Sequence, residues 1–369
     1  VRTFIKLLLL NLLTCTAAFA NDSTGTIAAG GIQFTQTPFI KMVSEDLTIS
    51  KDKVKVDYLF KNLSEKPIAT TVLFPLPLYQ EDGPENDYND VNSAAQVAKI
   101  AKDKKFPPSI LNFSVVVDGK PVAYQVKIQA ILDNGKDITD ILTRAGIPLL
   151  PQLGQGSGLR SDYESLDKKD IEKYEADLEK WKDKAQQLGL LDKEGKARWK
   201  KQVTFYWPQV FPAGKTVTIS HEYKPAVGGC FMENYGGPKE YYIHSIGSQL
   251  KELYNVELSK AENKAKFEDW ISTNAKKHDQ SHTSSNSLPI STFSFGNVGY
   301  ILTTGANWAG PIEKFTLTLQ YPANGAVVYM PFYSDTSAKI ISTSGQLQIL
   351  LNNFTPKQDL NIVFGSVYP

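Results

Sequence analysis

Zinc-dependent hydrolysis needs imidazole and carboxylate ligands that converge on one point, and this chain offers four histidines, His221, His244, His278 and His282. His278 and His282 have the i, i+4 spacing that sets two rings on one helix face. They run into the polar stretch Thr283-Ser-Ser-Asn-Ser287, with no third ligand close in sequence, so an exposed polar pair is expected. His221 shares a strand face with Val217, Ile219 and Tyr223, which marks it as a core or interface residue. Glu222 falls on the opposite face, so a local His–Glu relay is not expected. Cys230 lies in Gly228-Gly-Cys-Phe-Met-Glu-Asn-Tyr-Gly-Gly237, which reads as a glycine-flanked loop. A nucleophilic thiolate would need a histidine or another cation beside it, and no cysteine-hydrolase signature surrounds this one. Asp133, Asp137 and Asp140 do not have EF-hand spacing. The chain contains no P-loop, Gly-x-Ser-x-Gly elbow or dinucleotide fingerprint. No catalytic, metal or cofactor residue is therefore assigned.

Large aromatics are the remaining candidates. Trp207, Trp308 in the Asn307-Trp-Ala-Gly-Pro311 turn, and the segment from Phe231 to Tyr242 could form a recognition surface together with His221. Packing in the core or between domains is the competing use of the same side chains, since aromatics dominate buried area.

The elements that would position these residues are mainly strands. Val54, Val56, Tyr58 and Phe60 alternate with charged neighbours, a period of two that lines one face of a strand. After the break at 62–67, Ile68, Thr70, Val72 and Phe74 resume the alternation until Phe74-Pro-Leu-Pro77 ends it, proline having no ladder donor. Asp118-Gly119 is a hairpin turn between Phe113–Val117 and Tyr124–Ile128. Further strands are expected at 203–207, 217–223, 315–321, 347–351 and 360–364. Residues 161–201 differ in kind. Ile171, Tyr174, Leu178, Trp181, Ala185 and Leu188 make an apolar stripe on a highly charged helix, with Ser161 and Glu164 as a capping box and Gly189 as its stop. A second helix is expected near 260–277. The fold class is thus mainly β with helical insertions: two β-sandwich-like units, at 21–158 and 202–369, flanking a charged amphipathic helix within 159–201.

Residues 1–20 read as a signal peptide. Arg2 and Lys6 precede an apolar stretch too short to cross a bilayer, and Ala18-Phe19-Ala20 is a small-x-small cleavage pattern. The 40 Lys and Arg side chains then lose Arg2 and Lys6, leaving 38 against 39 Asp and Glu. A near-neutral mature chain gives no electrostatic case for nucleic acid. Cys15 departs with the leader, so Cys230 stays alone and no intrachain disulfide is expected. No later apolar run reaches transmembrane length.

Several separated strings, in order, resemble the bacterial family of exported proteins designated domain of unknown function 4424. They are Asn21-Asp-Ser-Thr24 with Ala28-Ala-Gly-Gly-Ile32, Ser44-Glu-Asp-Leu47, and Tyr58-Leu-Phe-Lys-Asn62 leading to Phe74-Pro-Leu-Pro77. Later come Asp137-Ile-Thr139, Gly146-Ile-Pro-Leu149, Tyr206-Trp-Pro-Gln209, Phe211-Pro-Ala-Gly214, His221-Glu-Tyr223 and Asn307-Trp-Ala-Gly-Pro-Ile312. The resemblance implies an exported protein of the Gram-negative envelope and brings no activity. The expectation is a periplasmic or secreted, non-enzymatic binding module whose partner is an unknown envelope protein or ligand. The alternatives are an envelope-polymer hydrolase with a carboxylate pair, and a structural or assembly factor that uses the charged helix.

Overall fold

The computed structural model describes residues 22–28, 31–78, 112–147, 168–225, 227–234, 291–322, 325–330 and 338–368, with a few single positions such as Leu149, Tyr241, His244 and Ser248. The expected leader, His278, His282 and the helix expected near 260–277 lie outside these residues.

The described chain is mostly strand, arranged in three sheets. The first has five strands in the order β2 (Gly31–Thr35), β1 (Ser23–Ala28), β5 (Ile68–Pro75), β9 (Trp199–Phe211), β8 (Gln125–Leu132). The second has eight: β15 (Lys339–Thr343), β16 (Gln346–Phe354), β13 (Ile312–Gln320), β3 (Ile40–Ile49), β4 (Val54–Asn62), β10 (Thr216–Tyr223), β6 (Ser114–Val117), β7 (Lys120–Pro121). The third has four: β11 (Val227–Asn234), β12 (Ser291–Tyr300), β17 (Leu360–Tyr368), β14 (Gly325–Tyr329).

The division at 158 and 202 expected from the sequence is not followed by the sheets. Strands from both sides of it share the eight-stranded sheet, where β3 and β13 pair in parallel with Leu47 opposite Leu317. One continuous buried core draws Phe74 and Trp207 from the first sheet, Phe60, Ile219 and Phe315 from the second, and Val298 and Ile362 from the third. The physical reason is that β3 and β4 alternate inward-facing apolar residues along their length, and β13 and β10, from beyond residue 202, pair with their two free edges and carry that buried face on.

The alternation of β4 is realised as expected: Val54, Val56, Tyr58 and Phe60 are all buried. Asp118 and Gly119 turn the β6–β7 hairpin with φ of 48° and 75°, the left-handed pair that a tight hairpin requires. β3 carries a bulge between Met42 and Ser44. Its inward residues are therefore Ile40 and Met42, and then, one step out of phase, Glu45, Leu47 and Ile49. The glycine-rich segment at Cys230, expected as a loop, is the strand β11. Gly228 and Gly229 stand opposite Asn297 and Gly296 of β12, so these glycines lie within a paired strand and do not break it.

A smaller second core lies under the helices α1 (Thr139–Ala145) and α2 (Lys168–Gln187). Ala185 is fully buried in it, with Leu178 and Trp181 packed against it, whereas Leu188 is exposed. Lys184 Nζ donates to Ala145 O at 2.8 Å, a cation on the last turn of α1, and this fastens one helix to the other. Leu178, Trp181 and Ala185 of the stripe read from the sequence therefore face the protein's own β body, and Leu188 does not.

Candidate functional site

Strand β10 is central in its sheet, between β4 and β6, and His221 is paired with Val56 on one side and Val115 on the other. Alternation turns its ring inward with Val217, Ile219 and Tyr223, as the sequence indicated. Four aromatic rings surround it. Phe74 lies at 4.9 Å between centroids, Trp207 at 5.1 Å, Phe113 at 5.5 Å and Tyr58 at 5.7 Å.

The polar partner enters from the other end of the sequence. His221 Nε2 stands 3.0 Å from Asp22 Oδ1, and neither side chain has any exposed surface. Asp22 directly precedes β1, whose first residues pair with β5, Ser23 opposite Leu73 and Thr24 opposite Val72. Trp308 fixes the same residue from a third direction, its indole Nε1–H donating to Asp22 O at 2.6 Å. Asn307 Nδ2 donates to Ser23 Oγ at 3.0 Å.

The 3₁₀ turn Thr303–Asn307 that presents these two side chains is held by Asp359. Its Oδ1 accepts from the backbone N–H groups of Leu302 and Thr303, both at 3.0 Å, and from the Thr303 hydroxyl at 2.8 Å. Burial raises the Asp359 carboxyl above its ordinary range, against the pull of those donors.

A second polar chain lies nearby. The Tyr58 and Tyr300 hydroxyls are 3.0 Å apart, and Tyr300 donates to Glu45 Oε1 at 3.3 Å. Burial, joined by the neighbouring Glu45 charge, holds both phenols well above their ordinary value. Glu45 reaches this site because of the β3 bulge; uninterrupted alternation would have faced it outward. Burial also raises the Asp22 carboxyl, and His221 opposes that shift by charge and hydrogen bond.

The three residues singled out from the sequence are brought together here. Trp207 is 0% exposed, His221 1% and Trp308 4%. They meet in the interior, and their side chains do not face solvent. An Asp–His pair orients the imidazole in acyl-transfer enzymes, where the carboxylate holds Nδ1 and leaves Nε2 to the nucleophile; here Asp22 is on Nε2. Such a dyad acts only on a nucleophile and a substrate that can reach it, and this one is enclosed by Phe74, Phe113, Trp207 and Tyr58. Among the described residues, His221 Nδ1 and Trp207 Nε1 have no hydrogen-bond partner. What the arrangement does chemically is hold one proton between Nε2 and Oδ1, and join three separate segments through Asp22.

Other sequence candidates are accounted for locally. Asp137 accepts from Thr139 N and Gln129 Nε2 at the start of α1, and Asp133 pairs with Lys200 at 3.0 Å. No group of three potential metal ligands occurs among the described residues. Outside, on the solvent face of the eight-stranded sheet, Asp46 is directly opposite Asp57. Ser220 Oγ donates to Asp57, and Lys55 Nζ lies 2.8 Å from it. The Asp46 carboxyl is raised by partial burial and by the Asp57 charge, with Lys55 pulling the other way.

Sequence reasoning placed His221 correctly on its strand but missed Asp22 and Glu45. For Glu45 a signal existed: the apolar phase set by Ile40 and Met42 fails to continue to Leu47 and Ile49. For Asp22 none did, because its partner lies 199 positions away.

No curated protein matches the chain. A solved structure from Legionella pneumophila, described as a "putative nutrient binding protein", is similar at a TM-score of 0.39 and 15% identity, over 93% of this chain and 69% of that one. Among the described residues, no helix is long and apolar enough to cross a membrane. The profile of the family described as Domain of unknown function (DUF4424) matches residues 20–363, from the expected end of the leader to β17, so the chain belongs to that family.

Proposed function

We propose that this protein is an exported, non-enzymatic interaction module of the bacterial envelope, periplasmic in its mature form, that acts through its surface. The observation that carries this reading is a contrast in exposure. The residues best suited to chemistry, Asp22 and His221, are sealed in an aromatic box, while bulky apolar side chains such as Phe39 and Leu63 stand in solvent at the loop end. A substrate has no route to the dyad without opening the sheets. Export is supported by the leader pattern and by a family match that begins at residue 20, beside the expected cleavage site.

Two measurements test the proposal. Cell fractionation with N-terminal sequencing is expected to recover a chain that starts at Asn21 outside the cytoplasm. A cytoplasmic chain that retains residues 1–20 would overturn export. Affinity purification after cross-linking in intact cells is expected to yield the same envelope component repeatedly, and consistent recovery of the protein alone would overturn the module reading.

A further inference from the structure

Seven large apolar side chains are exposed among the described residues, and three of them belong to one end of the molecule: Phe39 at 54%, Leu63 at 50% and Val210 at 54%. Three connections are hydrogen-bonded to one another at that end. Leu63 N donates to Phe39 O at 2.7 Å, so the segment before β3 and the β4–β5 turn lie side by side. Gly214 N donates to Ser64 O and Asn62 N to Lys215 O, both at 3.0 Å, which adds the β9–β10 turn. Asn62 Nδ2 donates to the carbonyl of Phe211, the residue after Val210, at 2.9 Å. The apolar tips are thus fixed by backbone and buried amide contacts, and their side chains are left outside.

The charge around them is mostly of one sign. Lys61, Lys66 and Lys215 are exposed and adjoin Leu63 through the same turns. Lys41 stands directly opposite Lys61 across the β3–β4 pair. Like charges in that position weaken a sheet, and Lys41 is matched by Glu313 at 2.6 Å. The Lys41 hydrogen bond, followed by the Lys41 charge, lowers the Glu313 carboxyl, with smaller contributions from Lys61 and Lys314. Glu65 is the other acid of these turns. A chain that is neutral as a whole therefore concentrates cations where it exposes apolar side chains.

We infer that this loop end docks on an anionic phospholipid surface, with Phe39, Leu63 and Val210 entering the headgroup region and the lysines meeting phosphates. This rests on the reading of the chain as an interaction module and names its partner. Three half-exposed side chains offer roughly a few hundred Å², well below the ~800 Å² per partner that a stable protein interface buries. Shallow insertion of a few side chains beside a cluster of cations is sufficient for a membrane surface.

The test is sedimentation of the protein, purified as the cell produces it, with vesicles of equal parts phosphatidylglycerol and phosphatidylcholine, and with vesicles of phosphatidylcholine alone. Binding is expected on the first, weakened by salt, and not on the second. Lys61→Ala with Lys215→Ala is expected to cost about fivefold per lysine. Phe39→Ser with Leu63→Ser is expected to cost about tenfold or more. The variants share the wild-type N-terminus, so any difference reads the loop end alone. Unchanged thermal melting shows that they fold, because the backbone bond between Leu63 and Phe39 does not depend on either side chain. Equal binding to both vesicles, or binding that neither pair of substitutions reduces, overturns the inference. Failure to bind vesicles, with an envelope protein still recovered by cross-linking, overturns the lipid assignment while the module reading stands.

Discussion

Asp22 Oδ1 and His221 Nε2 meet at 3.0 Å in the protein interior, across 199 positions of sequence and with no exposed surface on either side chain. The contact joins the residue in front of the first strand to the centre of the largest sheet. It makes the N-terminal end of the described chain a structural part of the core.

Removing one partner of a buried pair leaves the other without compensation. Asp22→Ala is therefore expected to destabilise the fold by about 3–5 kcal/mol. Asp22→Asn keeps a polar partner for the imidazole and costs less. Urea unfolding of the three proteins, compared at one pH, checks the order.

The raised Asp22 carboxyl also sets a sign for the pH dependence. A carboxyl whose folded-state pKa lies above the ordinary 3.8 binds its proton more tightly in the folded state. Its contribution to stability is therefore largest below 3.8, falls as pH rises through the window up to the folded pKa, and is constant above. The stability of wild type relative to Asp22→Asn should decline with rising pH across that window. Urea midpoints of both proteins as a function of pH measure it; a difference that grows with pH contradicts the assignment.

Trp308 holds the Asp22 carbonyl by a single indole hydrogen bond of 2.6 Å. Trp308→Phe retains most of the packing against Phe60, whose ring centroid is 4.5 Å away, and leaves that buried carbonyl without the indole donor. The expected cost is about 1–3 kcal/mol. Amide hydrogen exchange should quicken in β1, from Ser23 to Ala28, more than in β4.

On the outer face, Asp57 is the second cause of the raised Asp46 carboxyl, after burial. Asp57→Asn should lower the Asp46 titration toward the ordinary range without restoring it fully, since burial remains. A carboxyl-carbon NMR titration of Asp46 in both proteins reads the shift.

Much of the architecture was legible because strands write their burial locally. Val54, Val56, Tyr58 and Phe60 alternate in sequence and are buried in the fold, and Asp118-Gly119 marks a tight turn, although the return strand expected at 124–128 pairs with β9 in the five-stranded sheet and only Lys120–Pro121 closes the hairpin. The part of the stripe on α2 formed by Leu178, Trp181 and Ala185 was legible for the same reason. Two features were not. The glycines around Cys230 look like a loop, but a partner strand at 291–300 turns them into a ladder. The break between 158 and 202 looks like a domain boundary, but β13 pairs with β3 and carries the sheet across it.

By itself the sequence determined the mainly β class, the inward face of His221 on its strand, and the membership in the DUF4424 family that its ordered motifs suggested. Only the tertiary structure decided that Trp207, His221 and Trp308 share one sealed cluster, that Asp22 is the partner of His221, and that Phe39, Leu63 and the lysines share one end. The physical reason is range. Alternation and turn chemistry are set by neighbours along the chain, whereas a buried Asp–His contact and a loop cluster are set by which sheets pack together.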